Sequence, residues 1–313
     1  MAELRRIAII DCDAILSGKE VQIEESIQKN RIAGYLGQLL QGKLSPNPAS
    51  SNGVGTGNGT NNLPNGILSP EVEVPSQVKT SPYGNMATNW EGPSYAEQQF
   101  ANFMSQFVFK NFKVKWITKL NRLPEDDDLD LYGAYLFYGS QMEGEYDPIR
   151  DFAKRVYDKA PEAKLIGIGS GHIIIANAFG LKVEPNEKQK KLDILDGFLT
   201  NHFEADFGRH PHSILLMMST EKRIGRVTEN QAGLYPVIYD EQYDTTYAVS
   251  DGKRILSFQV AVDPPSQLLH AVAKTDARFK ARLTNTRLES DYVWLLMVIG
   301  KFMMNPSLRL SRI

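Results

Sequence analysis

Apolar residues come in unbroken blocks along much of this chain. Ile7 to Ile10 closes on Asp11, Ala134 to Tyr138 on Gly139-Ser140, and Leu165 to Ile168 on Gly169. Ile214 to Met218 and the run from Ile255 are of the same kind. A strand with one wet face alternates, so continuous blocks predict strands covered on both faces. Lys113 to Trp116 reads as a further strand. Between the blocks the spacing turns helical. Helices are expected over Ile23 to Gln41, over Tyr95 to Phe109 (apolar at Phe100, Phe103, Met104, Phe107 and Val108), from Tyr146-Asp147-Pro148, and after Gly169. Pro265 to Lys274 and Asp276 to Met304 read as C-terminal helices. The second is apolar on nearly every side over Val293 to Ile299, which suits packing in the body or in a dimer interface. Strand–helix alternation predicts a three-layer α/β sandwich with a mainly parallel sheet. The expected organisation is a single domain over 1–313, with 265–313 as a helical extension packed on it.

The pattern vanishes between Lys43 and Asn89. Segments such as Gly55-Thr56-Gly57-Asn58-Gly59-Thr60-Asn61-Asn62 cannot bury enough apolar area to offset chain entropy. Residues 43–89 are therefore expected to be a disordered or mobile insertion.

With 313 residues, 42% of them hydrophobic and 23% charged, the chain can fill an ordinary core. A net charge of −2 and a pI near 6.2 argue against a partner bound through nucleic-acid phosphates. One cysteine, Cys12, excludes an internal disulfide and a thiolate zinc cluster and suits a reducing compartment. The first apolar run is too short for a signal peptide, and Tyr292 to Gly300 is half a membrane span. The expectation is a cytoplasmic protein with no membrane, metal or cofactor requirement. Its partner would be a small-molecule ligand or a protein, with a homodimer possible.

Candidate chemistry clusters at strand ends. Asp11-Cys12-Asp13 closes the first strand at the carboxyl edge, where open parallel sheets bind ligands. Two flanking carboxylates would raise the Cys12 pKa, so a buried structural thiol is the expectation there. Glu125 to Asp128 reads as a solvated acidic loop, without the spaced oxygen pattern of a cation site. His202, Glu204 and Asp206, near His210 and His212, would share a strand face, but Pro211 signals a turn and weakens a metal reading. Tyr235, Tyr239, Tyr243 and Tyr247 are expected to wall a pocket.

The densest signal is Leu165-Ile166-Gly167-Ile168-Gly169-Ser170-Gly171-His172-Ile173. A short apolar strand enters a glycine-rich corner that opens a helix, the mechanics of a nucleophile elbow. The stretch resembles the elbow of class I glutamine amidotransferases, Gly-x-Cys-x-Gly-His-Gln. Gly167, Gly171 and His172 match, Gly169 stands at the cysteine position, and Ile173 at the glutamine position. Two further stretches carry the resemblance in the same order. Gly139-Ser140 fits the family's turn whose backbone N–H groups stabilise the oxyanion. Phe258-Gln259 fits the late strand Phe-Gln-x-His-Pro-Glu, with Ala261 at the histidine and Asp263 at the glutamate. Roughly Arg6 to Asp263 is covered, with a layout similar to a fungal-type branch of the family. The resemblance implies a flavodoxin-like sandwich.

It also implies a glutaminase triad of thiolate, histidine and carboxylate, and here the nucleophile and the base are missing. Ser170 lies one residue past the apex, and its side chain is expected to point away from the attack position as a helix-start residue. His172 is expected to be structural. Two readings follow. One is a non-catalytic protein that binds a ligand or supports a partner. The other is a pocket recruited for a cysteine-independent hydration, elimination or cyclisation, as in biosynthesis, using Asp11, Asp13, Tyr138, His172 or Asp263. A filled corner favours the first, an enlarged pocket the second.

Overall fold

A computed structural model gives the architecture and describes residues 5–16, 103–139, 146–185, 192–199, 213–219, 222–228, 233–241, 244–259, 286–305 and 308. β1 (Arg5–Asp11) runs into the short helix α1 (Cys12–Leu16). A π-helical turn, Phe103–Val108, continues into α2 (Phe109–Asn111) and β2 (Phe112–Ile117). Two 3-10 turns, Leu120–Arg122 and Asp126–Leu131, lead to β3 (Ala134–Gly139), α3 (Asp147–Lys159), β4 (Lys164–Gly169) and α4 (Ser170–Ala178). Then come β5 (Val183–Pro185), β6 (Leu192–Leu199), β7 (Ser213–Ser219), β8 (Lys222–Ile224), β9 (Tyr235–Asp240), β10 (Thr245–Ser250) and β11 (Ile255–Phe258). The helix α5 (Thr286–Met304) follows.

The main sheet has the order β2-β1-β3-β4-β11-β10-β9-β6-β7. Its first five strands are parallel, in the 2-1-3-4-5 order of flavodoxin-like folds, with the chain switching direction between β1 and β3. The sandwich expected from the continuous apolar blocks is this parallel half. Beyond β11 every pairing is antiparallel, and that wing was not foreseen. β5 and β8 form a separate antiparallel pair.

Alternate residues of the central strands feed different layers. Ala8, Ile10, Tyr135, Phe137 and Leu165 pack with Phe152, Val156, Ile173 and Ile175 of α3 and α4. Their strand neighbours Ile7, Ile9, Leu136, Ile166 and Ile168 are also buried and point to the other face. On that face Lys164 is buried against α5. Its ammonium lies 3.9 Å from the centre of the Phe302 ring and donates to the Leu308 carbonyl oxygen at 3.3 Å. The α5 backbone at Gly300 also meets Phe103 and Phe107. Each fully buried large side chain contributes roughly 1.5–3 kcal/mol, and both faces of β1, β3 and β4 are filled this way.

The acidic stretch Glu125 to Asp128 is exposed, as expected, and Asp126 also pairs at the surface with Arg155 at 3.3 Å and with Lys159, contacts that lower its pKa, the Lys159 hydrogen bond most. Of the tyrosine-rich segment, Tyr235 and Tyr239 lie on β9 and Tyr247, fully buried, lies on the adjacent β10, while Tyr243 lies outside the described residues. The expected helix at Ile23–Gln41, the 43–89 insertion and the histidines at 202, 210 and 212 lie outside the described residues. No helix among the described residues is long and apolar enough to cross a membrane.

Candidate functional site

The chain leaves β4 at Gly169 with φ 62° and ψ −118°, and the next residue begins α4. L-residues avoid that backbone region, and a residue with a side chain would be strained there. Its glycine neighbours are needed for packing. A Cβ on Gly171 would lie 2.0 Å from the Phe137 carbonyl oxygen, and one on Gly167 would lie 2.7 Å from the Gly171 carbonyl oxygen. The elbow read from the sequence is present, and its apex carries only hydrogen.

Gly139, the last residue of β3, is directly beside Gly169 in register. A Cβ on Gly139 would be 2.2 Å from Ser170 Oγ and 2.5 Å from Asp13 Oδ1. The notch next to the apex is therefore filled by a hydroxyl and a carboxylate. Ser170 is buried and donates to Asp13 Oδ1 in a long hydrogen bond of 3.5 Å. Its side chain reaches sideways, to Asp13 of α1 and to the end of β3.

The other candidates divide. Asp11 is engaged structurally: Oδ1 accepts the Ala14 N–H at 2.9 Å and Oδ2 the Trp116 indole N–H at 3.3 Å. Burial raises its pKa, partly offset by those hydrogen bonds. Cys12 is fully buried, and burial together with Asp13 and Asp11 pushes its thiol well up, so it is the inert thiol expected. Tyr138 pairs in register with Asp11 and Ile168, but strand alternation turns it to the face opposite Gly139. His172 is fully buried toward β11, with Nδ1 3.0 Å from Ser257 Oγ. Burial pushes its pKa down to about 3, against the raising effect of contacts to the backbone at Thr246 and Ser257. A neutral, enclosed imidazole cannot serve as the acid–base group considered for it. Ser140, Ala261 and Asp263 lie outside the described residues.

Gln259 was read only as a family match. It lies one residue past Phe258, which pairs with Ile168, and its amide donates to the Lys222 carbonyl oxygen at 2.6 Å, tying β11 to β8. Sequence reasoning also missed an open groove of about 710 Å³ lined by Leu123, Pro124, Asp127, Pro148, Phe152 and Arg155. It lies between the 3-10 turns and α3, away from the elbow, and no periodic signal marks it. No group of three metal-ligating side chains occurs among the described residues.

A parallel sheet in flavodoxin order, turned by a positive-φ glycine into a buried helix, defines a flavodoxin-like α/β protein. No protein-family model matches the chain. Over 145 residues it is 27% identical to a glutamine amidotransferase-like protein of Schizosaccharomyces pombe, covering 45% of this chain and 56% of that one. The chain thus spans little more than half the length of that relative. Among solved structures, a glutamine amidotransferase from Thermotoga maritima superposes with a TM-score of 0.49 at 13% identity, over 64% of this chain and 92% of that one. One from Methylobacillus flagellatus gives 0.49 at 12% identity, over 71% and 93%. The chain is thus similar over part of its length to a glutamine amidotransferase-like protein.

Proposed function

We propose that the protein does not hydrolyse glutamine and that it acts without catalysis, binding a small-molecule ligand or supporting a protein partner. One observation carries the reading: the backbone makes the elbow, and the residue at its apex is Gly169. An acyl-transfer elbow presents a nucleophile at that point, and glycine has none. Cys12 cannot substitute, because it is buried in the core with its pKa raised. Ser170 is turned toward Asp13 and Gly139. The sequence adds Ala261 at the base position. Losing nucleophile and base together costs about 10⁶ in kcat in a hydrolase of this logic.

The recruited-pocket reading would need an acid–base group at the corner. Asp11 is used as a helix cap and His172 is enclosed, while Asp13 and Ser170 fill the notch beside the apex. Those engagements favour the non-catalytic reading.

The test is glutamate formation from glutamine at several concentrations of purified protein. No protein-dependent rate is expected. Gly169→Cys alone is also expected to be silent, since an unactivated thiol is only a few per cent ionised near neutral pH. The pair Gly169→Cys with Ala261→His is the variant expected to recover weak turnover. A wild-type rate proportional to protein and unchanged by Cys12→Ser would overturn the proposal and make Ser170 or another residue the nucleophile.

A further inference from the structure

The crossover from β2 to β3 is made of turns. Over residues 118–133 it carries the 3-10 turns Leu120–Arg122 and Asp126–Leu131, where the connection between parallel strands is usually an α-helix. The chain passes over β1 to reach β3, and α3 continues in the same direction from β3 to β4. Right-handed crossovers put both on one face of the sheet. Beside α3 the helical layer is therefore incomplete, and the open groove of about 710 Å³ occupies that place. Pro148, Phe152 and Arg155 line it from α3 at spacings of four and three, a single ridge about two turns long. Phe152 is buried at its floor against Tyr135 and Phe137, while Leu120, on the side of the turns, is 45% exposed.

The charge of this groove is one-sided. Among the described residues its lining sets Glu125, Asp126 and Asp127 against one cation, Arg155. Arg155 is already committed within the protein. It pairs with Asp126 at 3.3 Å, donates to the Pro124 carbonyl oxygen at 3.4 Å and lies 5.3 Å from the centre of the Phe152 ring. Lys159 holds the other oxygen of Asp126. Glu125 and Asp127 are exposed and form no ion pair among the described residues, and Asp128 and Asp130 continue the exposed acidic run. An apolar floor with carboxylates along one side suits an occupant that is apolar on one face and cationic at its edge. The ridge of α3 packs best into the grooves of another helix. We infer that the groove docks a basic amphipathic helix of a partner protein, about two turns of which complete the layer beside α3. The inference rests on the partner-supporting form of the function proposed above and gives that partner its chemistry.

The test is binding of the full chain to a fluorescent synthetic helix with leucines on one face and lysines on the other, read by anisotropy. Saturable binding is expected, and a twin with glutamates in place of the lysines is expected to bind about tenfold more weakly. The variant E125K/D127K is expected to lose about tenfold for the lysine helix and to gain for the glutamate twin. E162K/E241K makes the same change of net charge at exposed positions outside the groove and is expected to shift the affinity by less than about threefold. Leu120→Asp probes the apolar side. With Leu120 nearly half open to solvent the fold is expected to hold, checked by near-ultraviolet circular dichroism, and the affinity to fall about tenfold. Equal binding of the two helices overturns the inference. So does an equal loss in E162K/E241K, or indifference to E125K/D127K or to Leu120→Asp. Self-association of the chain that Leu120→Asp abolishes in sedimentation would put a second copy in the groove and overturn it as well. A glutaminase rate would overturn the function proposed above without altering these affinities, and failed docking would leave the silent corner as it stands.

Discussion

At Gly169 the cost of a side chain can be stated in advance. The backbone there has φ 62° and ψ −118°, so Gly169→Ala is expected to cost about 1–3 kcal/mol, read from the urea midpoint. An equal midpoint would mean that the corner relaxes freely. His172 makes a prediction of opposite character, since its effect depends on pH. Its folded pKa of about 3 lies below the unfolded value of 6.5. The unfolded chain takes up a proton that the folded chain refuses. His172 is therefore neutral in its effect above pH 6.5 and costs stability as pH falls through the window from 6.5 to 3, by up to about 1.4 kcal/mol per unit. Asp11 works the other way. Its raised pKa gives a contribution that is complete below 3.8 and lost as pH rises through the folded value. Urea titrations from pH 7 to 4 are expected to show a flatter slope for His172→Gln than for wild type. An unchanged slope would show that His172 is protonated in the folded state.

Elements differ in how far the sequence discloses them. β1, β3 and β4 were legible because each is continuously apolar, and only a strand buried on both faces needs that pattern. The elbow was legible because three glycines are required in one corner, at positions 167, 169 and 171. The antiparallel wing was not, since a short strand such as Thr245–Ser250 reads alike whichever way its neighbour runs. The engagement of Asp11 by Trp116 spans 105 positions, and no local pattern announces it. Nor was the joint between α3 and the β10–β11 turn visible. There Arg254 donates to the carbonyl oxygens of Tyr157, Ala160 and Ala163 and lies 4.3 Å from the centre of the Tyr157 ring. Arg254→Ala leaves the end of α3 without these donors and is expected to cost about 2–4 kcal/mol. Arg254→Lys is expected to recover only part, because an ammonium cannot fork to three carbonyls. Denaturant unfolding of the two variants checks the order, and equal losses would show that charge alone matters there.

On the scale of the whole molecule, the nine-stranded sheet joins a parallel half that carries the corner to an antiparallel half that begins at β10. The parallel half has its own temporal order. β1 is in its interior, paired with β2 on one side and β3 on the other, with Ile7 opposite Val114 and Ala134. Its partners are separated from it by more than a hundred residues of chain. On a ribosome adding about 5–20 residues per second, β1 is finished roughly 6–25 s before β3. Throughout that interval Ile7, Ala8, Ile9 and Ile10 lack the β3 edge with which they pair. β1 is made long before either neighbour, so the nascent chain must keep these residues from other partners until Gly139 has left the exit tunnel.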